Sequence, residues 1–464
     1  MFIGRKKELL ELSDTLSSDK FEATLIYGRR RVGKTELINE SLKIHQALNN
    51  NELIISLECI NSSIKENLLL FTNKLKNIFN EKFLHFDSFI DLFEYIFIKS
   101  INQKIILFID EFSYLLSEDF TIESMLACII DQYKNKTKLK LIISGSNIYL
   151  IEKMASYESH CFGRFTHILY ITPFNYYDSS LFYPNYSDED KILMYSVFGG
   201  VPFFNSLIDN KKSAIDNILD LIIKKNNIIV LEINYTILLE TNKISNMNNV
   251  LSLIARGVSK YSDIKNAISN NTNVKPDYLL NKLLDMKMIK KIVPINDENN
   301  KKKMYYKLND NLISFYFTYI FPNNYQELRD NPHLFFEKFI KEDLYEKYLP
   351  SKFEDISREY LIKANLESKI NPYFQKIGTY FYNDQNNKIN RQFDLVTKDE
   401  YGYISYECKY TNNKISNKEI NEEIFKSKGL ELDFYKLGFI SKSGFIDNIT
   451  NNNYNLISLN DFYK

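Results

Sequence analysis

The chain changes its apolar rhythm from one end to the other, and the change divides it into regions. Near the N-terminus the apolar residues come in short unbroken runs. ATLIY (23–27), IILFI (105–109) and LKLIIS (139–144) are examples. Unbroken runs of this length bounded by polar turns fit strands covered on both faces. Helical spacing fills the intervals at about 60–78, 87–100 and 119–135. Strands alternating with helices predict a parallel, doubly wound α/β sheet. The middle of the chain has helical spacing in MNNVLSLIARG (247–257), which stops at Gly257, in a short helix opened by Ser262, and in a third opened by Pro276. Two strand-like runs follow, IKKIVPI (289–295) and KMYYKLN (303–309). That order predicts a winged helix-turn-helix. Towards the C-terminus, FDLVTKDEYGYISYECKYT (393–411) alternates around a polar turn, as a half-buried hairpin does.

The charged positions of that hairpin stand out. With Asp399-Glu400-Tyr401-Gly402 as a four-residue loop, Lys398 faces Tyr403, Asp394 falls opposite Glu407, and Gln392 falls opposite Lys409. Facing side chains stand ~4.5–5.5 Å apart at Cβ, so two facing carboxylates need a cation between them. Asp394 and Glu407 with Lys409 nearby are therefore expected to hold Mg²⁺, Lys409 activating a water. A cross-strand salt network is the plainer alternative. DIK, DMK, EDK and ESK occur elsewhere in the chain, so the EXK triplet alone carries little weight.

Composition adds little to the picture. The 464 residues carry 59 basic and 59 acidic side chains, so any nucleic-acid binding must come from a local patch. Between 251 and 310 there are twelve basic residues and six acidic ones. Lys275, Lys282 and Lys287 lie near the third helix, and Lys301, Lys302 and Lys303 at the wing tip, which suits phosphates. The alternative is a solvated basic face on a protein-packing module. Cys59, Cys128, Cys161 and Cys408 are scattered with no CxxC pair, which predicts neither a zinc site nor a disulfide framework. The run LISFYFTYIF (312–321) is too short to cross a bilayer, and no signal peptide is visible, so a soluble cytoplasmic protein is expected.

One motif is specific. Gly28-Arg29-Arg30-Arg31-Val32-Gly33-Lys34-Thr35-Glu36 follows an apolar strand and opens a helical pattern, the context of a phosphate-binding loop. Lys34 would reach the β- and γ-phosphates of ATP and Thr35 would ligate Mg²⁺. Asp110, at the end of IILFID, would hold Mg²⁺ through water, and Glu111 would orient the attacking water. Ser144, Ser146 and Asn147, at the end of the next strand, are three equal candidates for sensing the γ-phosphate.

FIGRKKELLEL, YGRRRVGKTEL, LFIDEFSYL, IISGSNIYLIEKM, FGRFTHILYITPF and GGVPFF together resemble the archaeal-type P-loop ATPase family, allied with AAA+ and signal-transducing ATPases, over about residues 1–205. The resemblance implies that Phe2–Arg5 pack near the adenine side. It implies that Arg164 acts as an arginine finger or sensor, within one chain or between the subunits of a homo-oligomer, against a structural salt bridge as the alternative. It implies that Pro202 meets nucleotide from a lid, against a plain helix-terminating turn. The hairpin with Glu407-Cys408-Lys409 resembles the PD-(D/E)xK nuclease core. That implies catalytic roles for Asp394, Glu407 and Lys409, and gives Glu359, in FEDISREYL, the place of the upstream acid. Three domains are expected: a P-loop ATPase (1–205), a helical lid and winged helix (206–334), and a nuclease-like domain (335–464). The expected protein binds ATP, Mg²⁺ and DNA and touches no membrane. Its nuclease domain is either active or retained in an ATP-controlled switch or remodelling ATPase.

Overall fold

The computed structural model describes residues 2–49, 51–225, 227–240, 244–269, 275–300, 303–323, 328–384, 389–430, 432–446, 449 and 454–464. Two compact units divide the chain, Met1–Pro173 and Phe174–Lys464.

The first unit is built on five parallel strands, β1 (Glu22–Tyr27), β2 (Leu53–Glu58), β3 (Ile105–Asp110), β4 (Lys140–Gly145) and β5 (His167–Tyr170), in the order β2-β3-β4-β1-β5. Every residue of β3 and β4 is buried, as the unbroken apolar runs require of strands with helices on both faces. Helices Ile64–Phe79, Phe89–Asn102 and Ile122–Tyr133 occupy the intervals with helical spacing. Ser63 and Ser88 cap the first two through the backbone N–H of Glu66 and Asp91. The sheet order puts the end of β4 between the loop after β1 and the acids that end β3.

The second unit begins earlier than the expected boundary at 205/206. Its core explains why: Tyr183, Met194, Val197 and Phe198 pack with residues as distant as Phe317 and Leu349. No compact-unit boundary falls at 334/335 either. Helices Ile244–Ala255, Tyr261–Ser269 and Pro276–Asp285 lead into an antiparallel pair, β6 (Ile289–Ile292) and β7 (Tyr305–Leu308). Beyond these, helix Leu349–Leu366 precedes a second sheet of β8 (Lys376–Asp384), β9 (Ile389–Lys398), β10 (Tyr403–Lys409), β11 (Phe434–Ser441) and β12 (Tyr454–Ser458), in the order β12-β11-β10-β9-β8. β8, β9 and β10 run antiparallel to their neighbours in turn. β11 pairs parallel to β10 after the crossover helix Asn417–Lys426.

The segment joining β6 to β7 leans on this second sheet. Ile295 N–H donates to the Thr379 carbonyl at 2.8 Å, and from β7 Lys307 Nζ pairs with Asp355 of helix Leu349–Leu366 at 2.7 Å. Lys303, expected at phosphates, donates to the Phe381 carbonyl at 3.3 Å. Lys301 and Lys302 lie outside the described residues. The four cysteines are all free. Among the described residues no helix is long and apolar enough to cross a membrane.

Candidate functional site

The loop after β1 is shaped by what crowds it. A Cβ on Gly28 would fall 2.2 Å from the Ile171 carbonyl oxygen, so only glycine fits there. Gly33 takes φ 87° as it opens helix Lys34–Leu48, whose first N–H groups point back into the loop and make a ready anion site. Lys34 is 5% exposed, and its Nζ donates to the carbonyls of Gly28 at 3.0 Å and Arg29 at 3.2 Å. Burial pulls the Lys34 amine below its ordinary value against Glu111 and Asp110, which favour its charge. Arg30 donates to the Tyr114 hydroxyl, and Arg31 takes φ 67°. Arg5 donates to the Val32 carbonyl at 3.3 Å and to the Thr172 carbonyl at 2.5 Å, which ties the N-terminal segment to the same loop.

The acids ending β3 meet this loop and β4. The Thr35 hydroxyl donates to Asp110 Oδ2 at 2.7 Å. The hydroxyl and carboxylate expected to share Mg²⁺ thus lie side by side, so the donor set fits that ion. Ser144 Oγ donates to the other oxygen of Asp110. Glu111 sits in the left-handed region at φ 51°, which is strained for a residue with a Cβ. It is held there by Ser146, whose Oγ donates to Glu111 Oε2 at 2.7 Å and whose N–H donates at 3.2 Å. The three equal candidates at the end of β4 therefore separate: Ser144 fixes Asp110, Ser146 fixes Glu111, and Asn147 caps helix Ile148–Ala155 through Leu150 N–H. Mg²⁺ bound here would neutralise charge on the triphosphate. Backbone N–H groups, the Lys34 amine and the Glu111 carboxylate converge at this loop, a set suited to cradling phosphates and orienting a water.

Arg164 is not beside this loop. It precedes β5, whose first residue pairs with Thr24, and it lines a hollow with Asp19 and Lys20 ahead of β1. The phosphate loop leaves the opposite end of β1. Arg164 Nη2 and Nε bind Asp131 Oδ2 at 2.5 and 3.0 Å, and Glu123 anchors the preceding turn through Ser159 and Cys161. In this structure Arg164 thus sits at the end of the sheet away from the phosphate loop, engaged in a salt bridge. Pro202 lies in the second unit and opens helix Pro202–Ser206 after a turn at Gly199, φ 65°. A Cβ on Gly200 would fall 1.8 Å from the Phe174 carbonyl oxygen, so close backbone packing alone demands a glycine there.

In the second unit the hairpin closes in the expected register, Lys398 opposite Tyr403, and the ladder runs to Leu395 opposite Tyr406. It ends one pair short of Asp394 and Glu407. There β9 bulges against β8, since Gly378 pairs with Val396 but Tyr380 with Phe393. Each acid has found a partner close to it in sequence. Glu407 pairs with Lys409 at 2.6 Å, and Asp394 Oδ1 accepts from Gln392. Burial and then Glu423 push the Glu407 carboxyl up, against Lys409.

The upstream acid is a correction. Glu359 points away, accepting from Tyr176 N–H at 2.9 Å and from the Tyr195 hydroxyl at 2.9 Å. Glu354, on the same helix, lines one cleft with Asp394. Burial and then Asp394 push its carboxyl up to about 8, with Glu407 adding to the rise. Among the described residues, no three of His, Cys, Asp and Glu gather to hold a metal ion. In this geometry the acids of the second unit do not fit a Mg²⁺ cage, and no chemical step is derived from one.

Residues 2–209 match the family described as an ATPase domain predominantly from Archaea, and residues 316–422 match a family of archaeal and bacterial proteins of unknown function. The uncharacterized protein MJECL04 of Methanocaldococcus jannaschii is 30% identical over 468 residues, covering 100% of both chains. Among solved structures, the Walker-type ATPase PABY2304 of Pyrococcus abyssi is similar with TM-score 0.48 and 19% identity, over 68% of this chain and 96% of that one. The ORC2 protein of Aeropyrum pernix, solved in ADPNP–ADP complexes, is similar with TM-score 0.45 and 13% identity, over 71% and 93%.

Proposed function

The chain belongs to the family of ATPases found predominantly in Archaea, and from that premise we propose that ATP turnover in its first unit controls DNA binding by its second. It binds and hydrolyses ATP; the control of DNA, and the use of Mg²⁺ at Thr35 and Asp110, are the proposed parts.

The observation that carries the DNA half is the module at 251–310. Three helices and an antiparallel pair stand in winged-helix order on a stretch with twelve basic and six acidic residues, in a chain of zero net charge. Lys275, Lys282 and Lys287 belong to or flank helix Pro276–Asp285, where major-groove contacts are expected. Gly28 to Glu36 hold the nucleotide. Arg164 serves the nucleotide of a neighbouring copy, which makes the working form an oligomer. Location at the far end of its own sheet supports this.

Of the two roles open to the nuclease-like sheet, the geometry favours the inactive one. Mg²⁺-dependent cleavage by Asp394, Glu407 and Lys409 draws support from the electrostatic coupling of Glu354 to both acids. The Glu407–Lys409 pair and the lack of a three-residue acid cluster among the described residues weigh against it.

A duplex titration of the purified protein at two salt concentrations tests the proposal. Affinity that falls steeply with salt, and falls again in Lys282→Ala, is expected. Affinity too weak to measure, or flat with salt, sinks the DNA half and leaves an ATPase acting on protein.

A further inference from the structure

A cleft of about 770 Å³ lies wholly within the second unit. Arg256 and Ser259, before helix Tyr261–Ser269, form one wall, with Tyr305 and Lys307 of β7. Lys352 and Glu354 of helix Leu349–Leu366 and Asp394 of β9 form the other.

The unusual group is Lys352. It is 5% exposed, it lines this cleft, and its Nζ donates to Asn311 Oδ1 at 3.0 Å. Among the described residues no carboxylate forms an ion pair with it. The acid that most favours its charge, Asp355, is already bound by Lys307 at 2.7 Å. Lys290, Lys307 and Lys352 all act on Asp355, so three amines share one carboxylate. A buried charge without a full partner is costly, and an anion entering the cleft would complete the set. Tyr305, half-buried, lines the same space and offers a ring for stacking. The volume is that of a small-ligand pocket (~300–1,000 Å³), too small for a duplex whose major groove alone is ~12 Å wide.

We propose that this cleft binds a few nucleotides of single-stranded nucleic acid, with Lys352 and Arg256 on its phosphodiester backbone. This rests on the nucleic-acid binding proposed above but assigns it a different surface, since the duplex would meet helix Pro276–Asp285.

The test is fluorescence anisotropy of the full chain with a labelled oligo-dT and with a duplex. Lys352→Met and Arg256→Ala are each expected to weaken oligo-dT binding about tenfold or more, the usual scale for losing a hydrogen bond to a charged group. Duplex affinity stays unchanged in both, while Lys282→Ala does the reverse. Removing a buried cation leaves Asp355 with Lys307, so Lys352→Met folds; should it not, the exposed Arg256→Ala decides alone. Oligo-dT binding equal to wild type overturns the inference and leaves the duplex proposal standing. If the wild type binds neither nucleic acid, the earlier proposal fails and the cleft is judged by labelling Lys352 with an amine reagent. Protection by the dinucleotide pTpT, and not by ADP, supports a strand site. Protection by ADP alone, or by neither, overturns it.

Discussion

The two charged centres of this chain are built in opposite ways. In the first unit, each acid is held by a hydroxyl from another strand or loop: Asp110 by Thr35 and Ser144, Glu111 by Ser146. In the second unit, Glu407 and Asp394 turn to neighbours two residues away on their own strands, Lys409 and Gln392. A site whose donors converge from several elements before ligand arrives is preorganised, and preorganised dipoles are where most catalytic stabilisation comes from. A site whose charges have neutralised one another locally must break those contacts to work. The comparison is the physical basis for assigning hydrolysis to the first centre and proposing a binding role for the second.

The largest effects should therefore fall on the first unit. Lys34→Ala and Glu111→Gln are each expected to lower ATP hydrolysis by ~10²–10⁴, with Glu111→Gln still binding nucleotide. Turnover within threefold of wild type in either variant would break the comparison at its strong end. Next comes Arg164→Ala, expected to cost ~10³ in turnover, the lower end for an arginine finger. Because Arg164 lies at the far end of its own sheet, mixing Arg164→Ala with Lys34→Ala should restore activity above either alone. No restoration removes the proposed action between copies.

Two smaller effects sharpen the second unit. Gly200→Ala must push apart backbone that leaves 1.8 Å for a Cβ, so its midpoint of urea unfolding should fall by an amount corresponding to ~1–3 kcal/mol. Glu354 gives a pH signature. Its carboxyl rises from 4.5 to about 8 on folding, so the fold retains a proton that the unfolded chain gives up. The associated stability is fully present below the unfolded value and is lost as pH rises through about 8. Glu354→Gln should therefore match wild type in melting temperature near the acid end of that window and exceed it by a few degrees at the alkaline end. A difference that does not change with pH would place Glu354 in a more polar setting.

The sequence disclosed local features well and convergent ones poorly. The phosphate loop and Asp110-Glu111 are contiguous motifs, and the hairpin register follows from loop length, so each was readable from its own segment. The strands β2 and β5 were not foreseen. β5 has a mostly exposed face pattern, so its apolar signal is weak. Glu359 was named from its place in FEDISREYL, and only the packing of Tyr176 and Tyr195 onto it shows that its carboxylate is engaged elsewhere. The helical offset offered a clue. Ser357 sits beside Cys408, and Glu354 is one turn before it on the same face. Lys352 and the cleft were invisible because their walls come from segments almost a hundred residues apart.

The central claim is that nucleotide state in the first unit sets DNA affinity in the second. Duplex affinity measured on Glu111→Gln, with and without ATP and Mg²⁺, tests it directly. A shift of roughly fivefold or more is predicted, the lower range of allosteric coupling. Equal affinity in the two states, with ATP bound in one of them, would contradict the account.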